Sequence, residues 1–390
     1  MDANLNHWLG AAPPIEEAWV SLSQHLTGWF RQTLGNPTTA QRLAWPAIAR
    51  GDNLLLSAPT GSGKTLAAFV PILDKLQSGE SSLQCVYVAP LKALVSDTRK
   101  NLRRVLYGLR SLDSGLRPRV TCHAARGAGR RPIRIGCRTG DSSPRRRKRL
   151  RQTPPEILLT TPESLAILMA QETSADTLAH VRWIIVDEVH ALAASKRGAD
   201  LSLSLERLQM LARHELVRIG LSATCSPLEE AAQYLVGVNR HCTIAAVPDR
   251  DSVDIRIELL ANQAAYTRAL VDRLLLEVNK HRTLLVFAGS RALAEKLGWR
   301  LSQLHPGLPI AVHHSSLDAS RRRAIERAMK AGRLCAIICS TSLELGIDIG
   351  AIDQVVLIHP PGDVIRLLQR LGRSGHAPGG RRNGLILVSS

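Results

Sequence analysis

Nine consecutive residues, Ser57-Ala58-Pro59-Thr60-Gly61-Ser62-Gly63-Lys64-Thr65, hold the types needed to grip a polyphosphate. Gly61 and Gly63 let the backbone curl so that N–H groups along Thr60-Gly61-Ser62-Gly63 point at phosphate oxygens. Lys64 is placed to reach the β and γ phosphates, and Thr65 to offer its hydroxyl to Mg²⁺. A helix starting here would add the positive end of its dipole. Ala58 stands where such loops usually carry their first glycine. Further along, Trp183-Ile184-Ile185-Val186 leads into Asp187-Glu188-Val189-His190. An acid pair after an apolar strand often just starts a helix. Downstream of a phosphate loop it suits ATP hydrolysis: Asp187 holds Mg²⁺ through water, and Glu188 orients or deprotonates the attacking water. Two neighbouring carboxylates without a cation would repel, and a Mg²⁺-nucleotide removes that repulsion.

These groups need a scaffold that delivers them at strand ends. Asn53–Ser57, Gln84–Ala89, Glu156–Thr160, Trp183–Val186 and Arg218–Leu221 are predicted strands. They are short apolar runs without strict alternation, as expected of strands buried on both faces. Helical patterns such as Thr65–Leu76 and Asp200–Ala212 lie between them. After a polar stretch around Ala246–Asp254, with Pro248, Asp249, Arg250 and Asp251 as the expected linker, the pattern resumes. Strands are expected at Leu284–Ala288, Ile310–His313, Leu334–Cys339, Gln354–Ile358 and Gly384–Val388, and a helix at Asp318–Ala331. Strand–helix repetition predicts an α/β fold of two doubly wound parallel-sheet domains, 1–246 and 255–390.

Composition agrees with this picture. Hydrophobic residues make up 45% of the 390-residue chain but aromatics only 3%, so the cores are aliphatic. A net charge of +18 points to a polyanionic partner, nucleic acid first. No apolar run is long enough to span a membrane and the start lacks a secretory layout, so no membrane partner and a cytoplasmic location are expected. Cys85, Cys122, Cys137, Cys225, Cys242, Cys335 and Cys339 form no CxxC pair and read as small buried hydrophobes. A basic run, Arg145, Arg146, Arg147, Lys148, Arg149 and Arg151, follows Arg126, Arg130, Arg131 and Arg134. It reads as an exposed loop or solvated helix face, with direct phosphate contact the competing possibility.

Taken in order, the motifs resemble those of superfamily 2 helicases. Pro37-Thr38-Thr39-Ala40-Gln41 resembles the adenine-reading segment, which implies that Gln41 hydrogen-bonds the base. Ala89-Pro90-Leu91-Lys92-Ala93-Leu94 and Thr160-Thr161-Pro162-Glu163-Ser164 resemble strand-gripping motifs, and Asp187-Glu188-Val189-His190 the family's named box. Ser222-Ala223-Thr224 resembles the segment linking hydrolysis to movement. Thr341-Ser342-Leu343-Glu344-Leu345-Gly346-Ile347-Asp348 and Gln369-Arg370-Leu371-Gly372-Arg373-Ser374-Gly375-His376 resemble the last two motifs. Arg138-Thr139-Gly140-Asp141 and His313-His314-Ser315-Ser316-Leu317 are similar to the large helicase-related (Lhr) proteins and the ligase-associated DNA helicases. The last motif ends in His376 rather than the commoner arginine, as in that branch.

The resemblance implies two RecA-like domains of the P-loop NTPase type. It also implies ATP-driven movement along single-stranded DNA, 3′ to 5′, with separation of partial duplexes and a role in DNA repair. Arg373 becomes the candidate arginine finger, reaching the nucleotide across a cleft, with Gly346, Asp348 and Gln369 beside it. Candidate strand contacts are Lys92, Thr161, Ser290, Arg291, Thr341 and Ser342: hydroxyls and cations suited to phosphates, each of which could instead be a cap or surface group. Because such a core grips phosphates, RNA or an RNA–DNA hybrid stays open as substrate. So does an ATP-gated clamp that closes without translocating. Lhr proteins continue into winged-helix and further domains, so duplex separation is expected to depend on parts outside 1–390. Protein partners are not readable from the sequence. His190 is expected to make a coupling hydrogen bond between domains, and His313 and His314 to be satisfied polar groups at a strand end.

Overall fold

The computed structural model describes residues 6–76, 82–114, 132–223, 227–248, 252–260, 266–344, 349–374 and 382–389. Cys122, Arg126, Arg130, Arg131, Thr224, Cys225, Gly346, Asp348 and His376 lie outside the described residues. The chain divides into two compact units, Met1–Pro248 and Asp249–Ser390.

The first unit contains strands β1 (Asn6–Trp8), β2 (Leu54–Ser57), β3 (Cys85–Val88), β4 (Ile135–Arg138), β5 (Ile157–Thr160), β6 (Trp183–Val186), β7 (Val217–Ser222) and β8 (Cys242–Ala246). Its helices are α1 (Ile15–Val20), α2 (Gln24–Leu34), α3 (Thr39–Arg50), α4 (Lys64–Leu76), α5 (Lys92–Ser114), α6 (Pro144–Gln152), α7 (Pro162–Met169), α8 (Ser174–Leu178), α9 (Val189–Ala193), α10 (Lys196–Leu211) and α11 (Leu228–Val236). The strands form one sheet in the order β1-β8-β2-β7-β6-β3-β5-β4, with every pairing parallel. Parallel strands need crossovers, and the helices supply them. The inner strands β2, β3, β5 and β6 are buried at every position, which is why they read as continuous apolar runs. On one face Val86, Val88, Ile184, Val186, Leu205 and Leu235 form an aliphatic core. The scarce aromatic rings gather elsewhere: Trp19, Phe30 and Trp45 pack α1, α2 and α3 together, with Phe30 and Trp45 centroids 5.1 Å apart.

The second unit has β9 (Val253–Leu260), α12 (Tyr266–Lys280), β10 (Leu284–Ala288), α13 (Arg291–Leu304), β11 (Ile310–His313), α14 (Ala319–Lys330), β12 (Ala336–Cys339), β13 (Gln354–Ile358), α15 (Val364–Leu371) and β14 (Arg382–Ser389). Its sheet runs β11-β12-β10-β13-β14-β9, again all parallel. The fold is α/β with two parallel sheets, as the strand–helix repetition predicts.

Four strands escape the sequence prediction. The short β1 and the terminal strand β4 have little apolar content. β8 closes the first sheet just before the stretch expected as linker. β9 begins inside that stretch, because Val253 and Asp254 pair with Arg382 and Asn383 of β14. Its alternation of Ile255, Ile257 and Leu259 with Asp254, Arg256 and Glu258 marks an edge strand, not one buried on both faces. The basic run forms α6, a helix with no buried residue. Cys85, Cys137, Cys242 and Cys339 are buried free thiols and Cys335 is half-buried; burial pushes the Cys242 thiol up to about 12. Among the described residues, no helix is long and apolar enough to cross a membrane.

Candidate active site

Because all strands of the first sheet run the same way, their carboxyl ends share one edge, where ligands of open α/β sheets bind. β2, β7, β6, β3 and β5 are consecutive there, so the loops after them stand side by side. These loops carry Ala58–Gly63, Ser222-Ala223, Asp187-Glu188, Ala89–Leu91 and Thr161.

The glycine loop turns through two left-handed residues, Gly61 at φ 81° and Gly63 at φ 82°. A Cβ on Gly63 would stand 2.7 Å from Gln41 Nε2, so only glycine fits. Thr60, Ser62 and Thr65 are half-buried around the turn. Lys64 opens α4, and its ammonium donates to the carbonyls of Ala58 (2.6 Å) and Pro59 (2.8 Å) within the loop. Thr38 and Gln41 brace the same loop. Thr38 Oγ1 donates to the Ser62 carbonyl at 2.8 Å, and the two residues form a capping box at the start of α3. Gln41 was expected to read a base. It is buried, with Oε1 accepting from the Thr38 amide (3.0 Å) and Nε2 donating toward the Gly63 carbonyl (3.5 Å). Oε1 completes the helix cap and Nε2 braces the glycine loop, each bond using one of two positions at that end of the amide.

The acid pair follows β6. Asp187 is half-buried, its amide donates to the Val88 carbonyl, and its carboxylate accepts from the Tyr87 hydroxyl and the Glu188 amide. Tyr87 in turn accepts from Thr98 Oγ1 at 3.0 Å. Burial first, and the Glu188 charge second, push the Asp187 carboxyl up to about 6, while the Tyr87 hydrogen bond and Lys64 oppose them. Glu188 sits at φ 52°, ψ 48°. A left-handed glutamate costs on the order of 1–3 kcal/mol, and it turns the second carboxylate away from the strand direction.

His190, one residue beyond Val189, ties this pair to the end of β7. Its Nδ1 accepts from the Ala223 amide (3.3 Å) and lies 2.9 Å from Ser222 Oγ, while Nε2 stands 3.4 Å from Glu188 Oε2. An Nδ1 that accepts leaves the proton on Nε2, facing Glu188. Burial, then the Lys64 charge, lower the His190 pKa to about 4, so the ring is neutral. The expected coupling bond between domains is therefore a bond inside the first unit, because Ser222 and Ala223 reach the ring from the neighbouring strand end.

The strand-contact candidates divide. Lys92 opens α5 and pairs with Asp141 at 2.5 Å on the exposed surface. Thr161 is buried with its hydroxyl on Ser164 Oγ (3.2 Å), so it is a packed residue at the start of α7 and not a solvent-facing contact. In the second unit, Ser290 and Arg291 follow β10, and Thr341 and Ser342 follow its neighbour β12. Ser290 caps α13, Arg291 donates to Ser316 Oγ at 2.5 Å, and Thr341 is exposed. Ser342 donates to the His313 carbonyl (3.0 Å) and lies 2.7 Å from His313 Nδ1, so its hydroxyl is already committed. His314 Nε2 lies 2.6 Å from Glu295. Each histidine is thus satisfied at one ring nitrogen only: His313 Nε2 and His314 Nδ1 are buried without a hydrogen-bond partner, so the expectation of satisfied polar groups holds in half.

Arg373 was expected to project toward a phosphate. It is 3% exposed, and its guanidinium donates to the Glu344 carbonyl at 3.1 Å. Gln369 is half-buried on α15. Glu344 also accepts from Arg370 through its carboxylate (3.2 Å), and Arg366 lies 3.9 Å away. Arg370 stacks over Phe287 at 5.1 Å. Sequence reasoning missed Glu344 and Tyr87. A carboxylate between Leu343 and Leu345 called for a cation, and Arg366 and Arg370 stand one helical turn apart. Tyr87 carried no such signal inside an apolar strand.

Known proteins share this geometry. The DEAD/DEAH box helicase family matches residues 38–231, and the helicase conserved C-terminal domain matches 265–378. The chain is 40% identical to an ATP-dependent helicase Lhr-Core of Saccharolobus solfataricus, over 96% of the chain and 43% of that protein. It is 39% identical to a Lhr helicase/probable uracil glycosylase of Mycolicibacterium smegmatis, over 92% of the chain and 26% of that protein. The structure of Mycobacterium smegmatis helicase Lhr bound to ssDNA and AMP-PNP superposes with a TM-score of 0.83 at 39% identity, covering 95% of this chain and 48% of that one. The chain thus spans less than half the length of these relatives.

Proposed function

The chain belongs to the DEAD/DEAH box helicases, in their Lhr branch, and from that membership we propose that it is an ATP-hydrolysing motor core that moves along single-stranded DNA, 3′ to 5′, and separates partial duplexes. The observation that carries this proposal is one sheet edge. It places the Gly61–Thr65 loop, the Asp187-Glu188 pair and the His190 link to Ser222 in adjacent loops.

Chemistry follows from the residues. Gly61 and Gly63 open loop amides toward an anion, and Lys64 supplies the cation, which must leave the Ala58 and Pro59 carbonyls to do so. The donor set of Thr65 hydroxyl and Asp187 carboxylate is all oxygen, which fits Mg²⁺. The raised Asp187 pKa supports that fit, since desolvation and the neighbouring Glu188 charge both disfavour its carboxylate and a bound cation would offset both. When bound, Mg²⁺ would neutralise charge on the β and γ phosphates. Glu188 accepts a proton from the attacking water, and the neutral His190 ring lies beside that carboxylate, its Nε2 3.4 Å from Oε2 and without a hydrogen-bond partner of its own. Because His190 also bonds Ser222 and Ala223, a change at Glu188 reaches the end of β7. Arg373 is the candidate for charge that develops on the transferred phosphoryl group. Glycine-loop, acid-pair and Lys92 functions fall in domain 1–246; Ser290, Arg291, Thr341 and Arg373 fall in domain 255–390.

The test is ATP turnover with and without single-stranded DNA or RNA, beside strand displacement on a tailed duplex. DNA-stimulated turnover with displacement is expected. Stimulation by RNA alone would reassign the substrate, and stimulation without displacement or translocation would make the chain an ATP-gated clamp.

A further inference from the structure

Several arginines elsewhere in the first unit are paired with acids: Arg134 with Glu156, Arg197 with Glu163, and Arg218 and Arg240 with Glu206. The helix α6 is different. Arg145, Arg146, Arg147, Lys148, Arg149 and Arg151 take part in no ion pair among the described residues, and the first turn carries no acid. Three arginines therefore stand at the positive end of a helix dipole, which disfavours them. Like charges also face each other at i,i+4, as in Arg145 with Arg149 and Arg147 with Arg151. No residue of α6 is fully buried, and only Leu150 packs against the aliphatic core, so little apolar burial offsets this repulsion.

The helix is nonetheless held in place. Ser143 caps it by accepting from the Arg146 amide, and Arg147 donates to the Gly140 carbonyl at 3.0 Å. Gly140 adjoins Asp141, the partner of Lys92. The backbone of α6 is thus fixed, and it presents the exposed, unpaired cations Arg145, Lys148, Arg149 and Arg151 on one short helix.

A ligand for this surface must be a polyanion, and its chemistry narrows further. No Phe, Trp or Tyr occurs between Tyr107 and Trp183, so α6 carries no aromatic platform for unpaired bases. A nucleic-acid duplex hides its bases and presents phosphates at about one charge per 1.7 Å of axis, the densest match for cations alone. We propose that α6 docks on the phosphate backbone of a nucleic-acid duplex, the double-stranded flank of the substrate, a role that rests on the nucleic-acid motor function proposed above.

The experiment compares binding of a single strand and of the same strand as the tail of a duplex. The variant combines Arg145→Gln, Lys148→Gln, Arg149→Gln and Arg151→Gln, all exposed side chains. It should weaken tailed-duplex binding at least about tenfold and flatten its log–log salt dependence by about 2–4, near 0.9 for each phosphate no longer neutralised. Binding of the tail alone should change less than about twofold, and thermal unfolding should not move. Combined Arg145→Lys, Arg149→Lys and Arg151→Lys should keep tailed-duplex affinity, because a phosphate lattice reads charge. Equal losses on tail and tailed duplex, or no loss on either, would overturn the proposal, as would a lysine variant as weak as the glutamine one. Wild-type protein that bound neither substrate would sink the motor reading itself.

Discussion

The two units hold their phosphate-directed groups in opposite ways. In the first, the groups stand at an open sheet edge on backbone already bent for the task, with Gly61, Gly63 and Glu188 all at positive φ. In the second, Arg370 and Arg373 are buried and clamped on Glu344. Preset strain suits a site that must cradle an anion without reorganising. A buried arginine bound to a carbonyl suits a group kept from solvent until something competes for it. The first unit's site residues should therefore be separable from stability, and the second unit's should not.

Lys64→Ala tests the first half of this contrast most severely. Turnover should fall below detection while the unfolding temperature stays put, since the Lys64 bonds to the Ala58 and Pro59 carbonyls stay within its own loop. Glu188→Gln should retain ATP binding and lose about 10²–10⁴ in turnover, the usual worth of a positioned base. Wild-type turnover in that variant would remove Glu188 from the mechanism.

Arg373→Ala probes the second half. Nucleic-acid-stimulated turnover should drop at least about a hundredfold, since an arginine finger is worth about 10³–10⁵. Unlike Lys64→Ala, it should also lower the unfolding temperature, because it leaves the Glu344 carbonyl buried without that donor. Glu344→Gln should do the same by loosening Arg370. Lost stability with unchanged turnover per folded molecule would make Arg373 purely structural.

His190→Ala lies between these extremes. Removing the ring unlinks Glu188 from Ser222 and Ala223, so ATP binding should survive while stimulation by single strands falls about tenfold, within the range of a lost positioned hydrogen bond. Equal losses of basal and stimulated turnover would place His190 in the chemistry alone.

The smallest effect concerns a group remote from both sites. Burial would raise the Glu206 carboxyl, but hydrogen bonds from Arg240 and Arg218 outweigh it and hold the pKa at about 2. A depressed carboxylate contributes stability above its unfolded pKa and loses it as pH falls from about 4.5 toward 2. Glu206→Gln should cost about 1–2 kcal/mol at pH 7, discounted because Glu206 is 44% exposed, and the difference should shrink by pH 3. A pH-independent difference would show that the hydrogen bonds matter and the charge does not.

Much of this protein is legible from local residue order. The glycine loop must follow a strand and precede a helix, and four of the ten predicted strands both begin and end where they were expected: Trp183–Val186, Leu284–Ala288, Ile310–His313 and Gln354–Ile358. Such strands are apolar on both faces, and their ends are marked by the polar residues that take up the chemistry. Strands at sheet margins were harder to see, because β9 alternates and β1 is three residues long. Side-chain partners were scarcely legible. That Tyr87 holds Asp187, that Gln41 closes a helix cap, and that Glu344 gathers three arginines depend on which strands lie side by side. Neighbouring strands such as β3 and β6 are almost a hundred residues apart in the chain, and only the folded sheet brings their ends within hydrogen-bonding reach.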